Sequence, residues 1–405
     1  MGVSVFTDSL IEVLGLSRVK LSLAYLIGTA LSALLLSPAG KLYDRFGARP
    51  AGTVVILFLS LQLLVLSRLK TLLPRLQSLF QGDGIVLPFV LITMSFFILR
   101  FFGQGMLTLI SRNMVMKWFE ARRGLANAIM GTFVSFGFAY APRFFNGLIA
   151  GYQWNGAYLR LGLFIGTAGL VTFWLFARDD PRKCGLSPDG AVRQRGKETA
   201  VPKYTGPDRD YTLKEARGTL PFWVFSLSSG LTALISTAMT FHIVSIFNIA
   251  GMSRGEAVAI FLPASFISVS LNFAASWLSD HISLRYILQV YIIGQVLTLF
   301  ALMRLAPGPS LILLVIGYGI LMGLFNALST LVWPRYFGIT HLGAISGMAM
   351  AFMVIGSAVG PYVFSLSLDL TGLYNAACLG CLVLSAVLLG LSFRVRRPSR
   401  AGPSL

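Results

Sequence analysis

Stretches of about 20 residues almost free of charge recur along this chain, each long enough to cross a hydrocarbon core of about 30 Å as an α-helix. Eleven such spans run approximately over 19–42, 50–68, 86–110, 124–150, 157–177, 221–247, 256–280, 285–305, 309–333, 342–367 and 372–393. Inside lipid no water satisfies a backbone amide, so a lone apolar segment of this length closes its hydrogen bonds as a helix. Composition excludes the soluble alternative. Hydrophobic residues make up 56% of the chain and charged residues 12%, about half the charged fraction of an ordinary soluble domain. An all-α polytopic membrane protein is expected, with the lipid bilayer around it.

A net charge of +18 would, in a soluble chain, point to nucleic acid. Position removes that reading. Lys41, Arg45 and Arg49 follow one span, and Arg112, Lys117, Arg122 and Arg123 surround the end of another. Arg178, Arg182, Lys183, Arg193, Arg195, Lys197, Lys203, Arg209, Lys214 and Arg217 fill 178–217, and Arg285, Arg335, Arg394, Arg396, Arg397 and Arg400 complete the set. Alternate connections thus hold most of the positive charge, as cytoplasmic loops do. The linker and C-terminus are expected to be cytoplasmic, in a cell inner (plasma) membrane, with no nucleic-acid partner. Cys184, Cys378 and Cys381 lack the spacing of a metal or disulfide framework and read as packing residues.

The stretch 2–15 is mostly apolar but reaches only about 21 Å at 1.5 Å per residue. It reads as the outer end of a first helix whose beginning lies outside the sequence; an interfacial amphipathic helix is the alternative. The halves carry weak internal symmetry. SWLSDHISLR at 276–285 echoes GKLYDRFGAR at 40–49, each with an Asp before an Arg, and Arg335-Tyr336-Phe337 echoes Lys117-Trp118-Phe119. The expected organisation is an N-terminal bundle over 1–177 (partial helix 1, then helices 2–6), a linker over 178–217, a C-terminal bundle over 218–393 (helices 7–12) and a tail over 394–405.

GKLYDRFGAR at 40–49 resembles the loop signature between the second and third helices of the major facilitator superfamily. Gly40 and Gly47 permit close helix approach and a tight turn. Asp44 can face the positive N-terminal end of a neighbouring helix, and Arg45 and Arg49 can pair with carboxylates or carbonyls. The resemblance implies a cytoplasmic gate that holds one conformation until substrate shifts the balance, shared by Lys117, Arg122, Arg123, Asp280 and Arg285.

KWFEARRGLAN at 117–127 is similar to the monocarboxylate porter branch and its bacterial oxalate/formate-antiporter relatives, through Lys117, Phe119, Arg122, Arg123, Leu125, Ala126 and Asn127. RDDPRKCGLSPDG at 178–190 and the pair Phe241-His242 resemble bacterial members of that branch. The fold implied is the major facilitator fold of two six-helix bundles, here with most of the first helix missing and eleven complete spans. The function implied is secondary active transport of a small organic anion by alternating access. Two departures bear on the substrate. SVSLN at 268–272 lacks the Asp/Arg pair of the animal members' eighth helix, and 342–367 lacks the Lys that oxalate exchangers use in the eleventh. A doubly charged, oxalate-like substrate is disfavoured and a monocarboxylate expected.

An ionisable group inside a membrane is costly and by default a functional candidate. Arg100 is the deepest, about 21 Å from the outer end of its span, in RFFGQG, which loosely resembles the superfamily's fourth-helix Arg-and-Gly motif. It can attract a carboxylate or tune a proton group; a structural Arg bonded to carbonyls or to Gln104 is the alternative. His242 is the only His within a span. Imidazole suits proton exchange near neutral pH, although a lone His also serves as a satisfied polar residue. Arg143, near the outer end of its span, either attracts substrate or snorkels. Tyr140, Asn272 and Asn326 can bond a carboxylate or simply bond across helices.

No HExxH, P-loop or GxSxG motif occurs, and His242, His281 and His341 lie far apart. No catalytic residue, metal or cofactor is expected, and transport without a nucleotide site is secondary. The expected partners are a small organic anion and, by resemblance alone, protons; the chain is expected to act as a monomer. Two other readings stay open: efflux of a hydrophobic or uncharged compound, and a non-transporting or truncated membrane sensor.

Overall fold

The computed structural model describes residues 6–80, 84–190, 207 and 209–398, and every regular element among them is helical. Helix α1 (Thr7–Leu14) ends on Gly15 in the left-handed conformation. Ser17 then caps α2 (Arg18–Phe46) by accepting the Lys20 N–H, so Thr7–Leu14 and the next span form separate helices. α3 (Ala48–Ser67) crosses back. α4 (Leu69–Phe80) falls where the hydropathy pattern predicts no span. It buries Leu69 and Leu73 and leaves Lys70 and Arg75 exposed, an amphipathic pattern that keeps its mean hydropathy low.

α5 runs continuously from Val86 to Trp118, and its middle, Leu99–Leu107, is π-helical. The helical run Arg123–Phe164 breaks at Gln153, whose φ of 60° and ψ of 169° end the helix. This makes two elements, α6 (123–152) and α7 (154–176), on the expected spans 124–150 and 157–177. Short 3₁₀ turns at Pro181–Cys184 and Pro188–Gly190 open the linker. Cys184 is exposed there, while Cys378 and Cys381 are buried; the expectation that all three pack is corrected for Cys184, which sits in a surface turn.

α8 (Leu213–Arg217) starts with a reciprocal capping box between Thr212 and Glu215. The later helices are α9 (Leu220–Ile249), α10 (Arg254–Ala259), α11 (Phe261–Leu278), α12 (Leu284–Met303), α13 (Pro309–Phe337), α14 (Leu342–Thr371) and α15 (Asn375–Ser392). Ten segments among the described residues are long and apolar enough to cross a membrane.

The chain divides into two compact units, one made of Met1–Met114 with Phe133–Asp179, the other of Val115–Thr132 with Asp180–Leu405. The first is built around Leu10, Leu14, Leu63, Leu66, Ile92, Phe96 and Tyr158, with Phe6 stacked on Tyr158 at 4.2 Å. In the second, α9 lies along α14 so closely that a Cβ on Gly356 would strike the Gly230 carbonyl, and one on Gly360 the Leu234 carbonyl. Small residues permit this approach where no hydrophobic force drives helices together. A buried polar group joins α9 to α12. The Gln295 side-chain amide donates to the Ser228 carbonyl at 2.9 Å and to Thr232 Oγ1 at 2.7 Å, and Tyr291 donates to the same carbonyl at 3.1 Å. In the unit's core, Phe222, Phe225, Phe337 and Phe364 are essentially inaccessible.

Candidate functional site

Arg100 sits in the π-helical stretch of α5. Such stretches change the hydrogen-bond register and re-aim side chains, and they recur at functional sites. Arg100 Nε donates to Thr29 Oγ1 on α2 at 3.3 Å, and its guanidinium lies 5.2 Å from the centre of the Tyr25 ring. Thr29 is fully buried, and Tyr25 is held edge-on by Phe96 at 5.3 Å. The Arg is thus positioned by α2, not by its helical neighbour Gln104. Among the described residues no carboxylate forms an ion pair with it. Between the same two helices runs an apolar cavity of about 360 Å³ lined by Ile27, Leu31, Phe89, Met94 and Phe97, and Arg100 is not part of its wall.

His242, on α9, bridges three helices. Its Nε2 lies 3.0 Å from the Pro361 carbonyl on α14, and its Nδ1 lies 3.3 Å from the Tyr374 hydroxyl, just ahead of α15. Tyr374 in turn donates to Ser245 Oγ at 3.0 Å. A carbonyl only accepts, so Nε2 carries the proton and Nδ1 is the position that can gain one.

The other mid-span candidates are dispersed. Tyr140 on α6 is exposed, its ring 6.4 Å from Phe144. Arg143 lies on α6 with its side chain outside the described residues. Asn326 on α13 is half-buried, and its backbone carbonyl accepts the Ser329 hydroxyl at 3.3 Å. Asn272 on α11 is buried, and its side-chain amide occupies the space a Cβ on Gly131 would need. It therefore sits in a helix–helix seam.

That seam holds Asp280, one of the residues expected of a gate. Gly124, Asn127 and Gly131 of α6 meet Asn272, Ser276 and Asp280 of α11, rows spaced three and four residues apart as interlocking helix ridges are. Asn127 Nδ2 donates to Ser276 Oγ at 3.0 Å, and the Gly124 N–H to Asp280 Oδ1 at 3.3 Å. A Cβ on Gly124 would collide with the Ser276 carbonyl. Arg335, from the end of α13, donates to Asp280 and to the Ser279 carbonyl. This partner was legible only as a loop cation echoing Lys117.

Lys117 and Arg123 are buried, and Arg123 Nε donates to the Met116 carbonyl at 3.1 Å. Burial lowers the Arg123 pKa to about 10; Glu120, Asp189 and Asp210 act against that shift and Arg335 adds to it. Arg122 is exposed, and Arg285 is half-buried with its Nε unpartnered among the described residues.

The 40–49 motif joins α2 to α3 through Gly47, whose φ of 85° favours glycine. The Ala48 N–H donates to Asp179 at 3.2 Å, Arg49 Nε to the Ala177 carbonyl at 3.3 Å, and Arg49 also covers Trp174 at 5.1 Å. Arg45 lies 5.5 Å from the Phe46 ring, Gly40 is buried and Asp44 is half-buried.

Two linker carboxylates absent from the expected site complete the picture. Asp189, at a φ of 62°, accepts the N–H groups of Glu120, Ala121 and Arg122 at 3.0, 2.8 and 3.3 Å. Asp210 accepts those of Ile339 and Thr340 at 3.1 and 3.3 Å, together with the Thr340 hydroxyl. The turns after α5 and α13, which correspond in the internal repeat, are each clamped by an Asp of the linker. Only the SPDG turn sequence at 187–190 hinted at this. Among the described residues no group of three His, Cys, Asp or Glu is placed to hold a metal.

The Major Facilitator Superfamily model matches residues 1–361. Monocarboxylate transporter 12 of Rattus norvegicus is 25% identical over 313 residues, 71% of this chain, and this chain spans 63% of that relative's length. The fucose:proton symporter of E. coli superposes with a TM-score of 0.61 at 14% identity, covering 97% of this chain and 96% of the symporter. The human organic anion transporter MFSD10 gives 0.59 at 14% identity, covering 95% and 88%.

Proposed function

The chain belongs to the major facilitator superfamily, and from that premise we propose that this multi-pass secondary transporter, which is not an enzyme, carries a small organic anion, a monocarboxylate. The observation that carries the reading is Arg100, a cation in the π-helical middle of a membrane helix, held by Thr29 and Tyr25 and lacking a carboxylate partner among the described residues. An unneutralised charge at that depth is costly, and a carboxylate substrate would offset the cost with a forked, charge-assisted pair. The similarity to a monocarboxylate transporter supports the same class. Transport proceeds by alternating access, in which bundles 1–177 and 218–393 move as the two halves of the carrier. The linker 178–217 and tail 394–405 face the cytoplasm, and the membrane is the cell's inner (plasma) membrane.

Proton coupling is assigned to His242. Neutral, it donates from Nε2 to the Pro361 carbonyl; protonated, its new Nδ1–H donates to Tyr374, whose own proton is already directed to Ser245. Both charge states are therefore hydrogen-bonded, and the change is felt on α14 and α15.

The test is uptake of labelled monocarboxylates into proteoliposomes holding the full chain, with and without an imposed pH gradient. Saturable uptake of at least one monocarboxylate is expected, faster with the gradient; none across the panel rejects the anion class. In His242→Gln, exchange driven by a substrate gradient should persist while acceleration by the pH gradient is lost. Unchanged acceleration removes His242 from the coupling.

A further inference from the structure

Where the two linker clamps converge lies a cavity of about 140 Å³, lined by Lys117, Glu120, Arg123, Arg182, Asp210 and the turn residues Gly338 and Ile339, with prolines 188, 207 and 334 closing its edge. It lies within the second compact unit. We propose that this cavity binds a small oxyanion, a phosphate, sulfate or short carboxylate group, and that its occupancy regulates the carrier from the linker side.

The charges support that ligand. Among the described residues, the acidic groups at the cavity are Glu120 and Asp210 of its wall and Asp189 beside it; Asp189 accepts three backbone N–H groups and Asp210 two and a hydroxyl. Their oxygens are engaged by the turns, while their charges and that of Glu120 still act on Arg123. Arg123 is buried, and among the described residues its one hydrogen bond is from Nε to the Met116 carbonyl. Its two terminal nitrogens have no hydrogen-bond acceptor there. Burial without full compensation also lowers its pKa, to about 10. Arg182 brings a second guanidinium from the linker, and Lys117 an ammonium from the end of α5. Planar guanidinium forks recognise oxyanions with paired hydrogen bonds. The volume suits an anion of this size, since one water takes about 30 Å³ in the liquid.

Regulation follows from which segments supply the wall. The cavity exists only while the linker, the turn after α5 and the turn after α13 are held together, so an anion that binds it stabilises that arrangement by mass action. If turnover draws those segments apart, the bound anion slows it.

Thermal unfolding of the detergent-solubilised full chain, titrated with sodium phosphate, sulfate or acetate against sodium chloride at equal ionic strength, tests this. A saturable rise in midpoint with at least one oxyanion, absent in chloride, is expected. Its identity distinguishes a tetrahedral from a carboxylate ligand. Arg182→Gln, which changes an exposed side chain, should weaken the apparent affinity about tenfold or more, as loss of a charge-assisted bond does. Arg100→Gln should leave the rise intact, which separates this cavity from the transport site. No saturable rise with any oxyanion, a wild-type response in Arg182→Gln, or loss of the rise in Arg100→Gln would each overturn the proposal.

Discussion

Asp280→Ala is expected to lower the unfolding free energy by about 3–5 kcal/mol, the range for removing one partner of a buried ion pair. The pair is enclosed enough for that range to apply: the Arg335 and Asp280 side chains are 7% and 14% exposed. Loss of the carboxylate strands the Arg335 guanidinium and also removes the acceptor for the Gly124 N–H at the start of α6. Unfolding in denaturant, followed by intrinsic fluorescence, measures the loss. Asp280→Asn, which keeps an acceptor but not the charge, should fall between wild type and Asp280→Ala. The double change Asp280→Ala with Arg335→Met should cost less than the sum of the single changes, because no charge is left unpaired. A cost below about 1 kcal/mol would mark the pair as solvent-screened, and the α6–α11 seam would then rest on the Gly124–Ser276 contact.

Arg100→Gln should reduce uptake by about 30-fold to more than 1,000-fold, corresponding to the roughly 2–5 kcal/mol that a desolvated charge pair loses when one partner is truncated. Arg100→Lys should be intermediate, since an ammonium keeps the charge without the fork. Initial rates in proteoliposomes, normalised to reconstituted protein, give the effect. A thermal midpoint within a few degrees of wild type would show that the bundle still folds. If Arg100→Gln transports at the wild-type rate, Arg100 is a structural residue and the anion reading loses its main support.

The membrane helices were legible because lipid thickness imposes one length on every crossing segment, and apolar runs report it directly. α4 and the π-helical stretch of α5 were not. The first hides its apolar face in an even mixture of Leu and polar residues, and the second is a shift in hydrogen-bond register that leaves hydropathy unchanged. Arg100 stood out as a charge in an apolar run, whereas its neighbours Tyr25 and Thr29 lie about 70 residues earlier on another helix. Asn272 stood out for the same reason that Arg100 did, a polar group at mid-span, whereas its neighbour Gly131 lies on another helix far away in sequence. Asp280 was legible through the repeat of the 40–49 motif. Asp189 and Asp210 were not, because an Asp in a hydrophilic linker carries no signal until the turn it clamps is known.

By itself the sequence determined the helical membrane class, the positions of the spans and the superfamily. Each of these depends on local transfer free energy and on contiguous motifs. Only the tertiary structure decided which polar groups meet: Arg100 with Thr29, His242 with Pro361 and Tyr374, Asp280 with Arg335 and Gly124. Those partners lie tens to more than a hundred residues apart, and a hydrogen bond is set by ångström-scale distance and direction, which hydropathy does not encode.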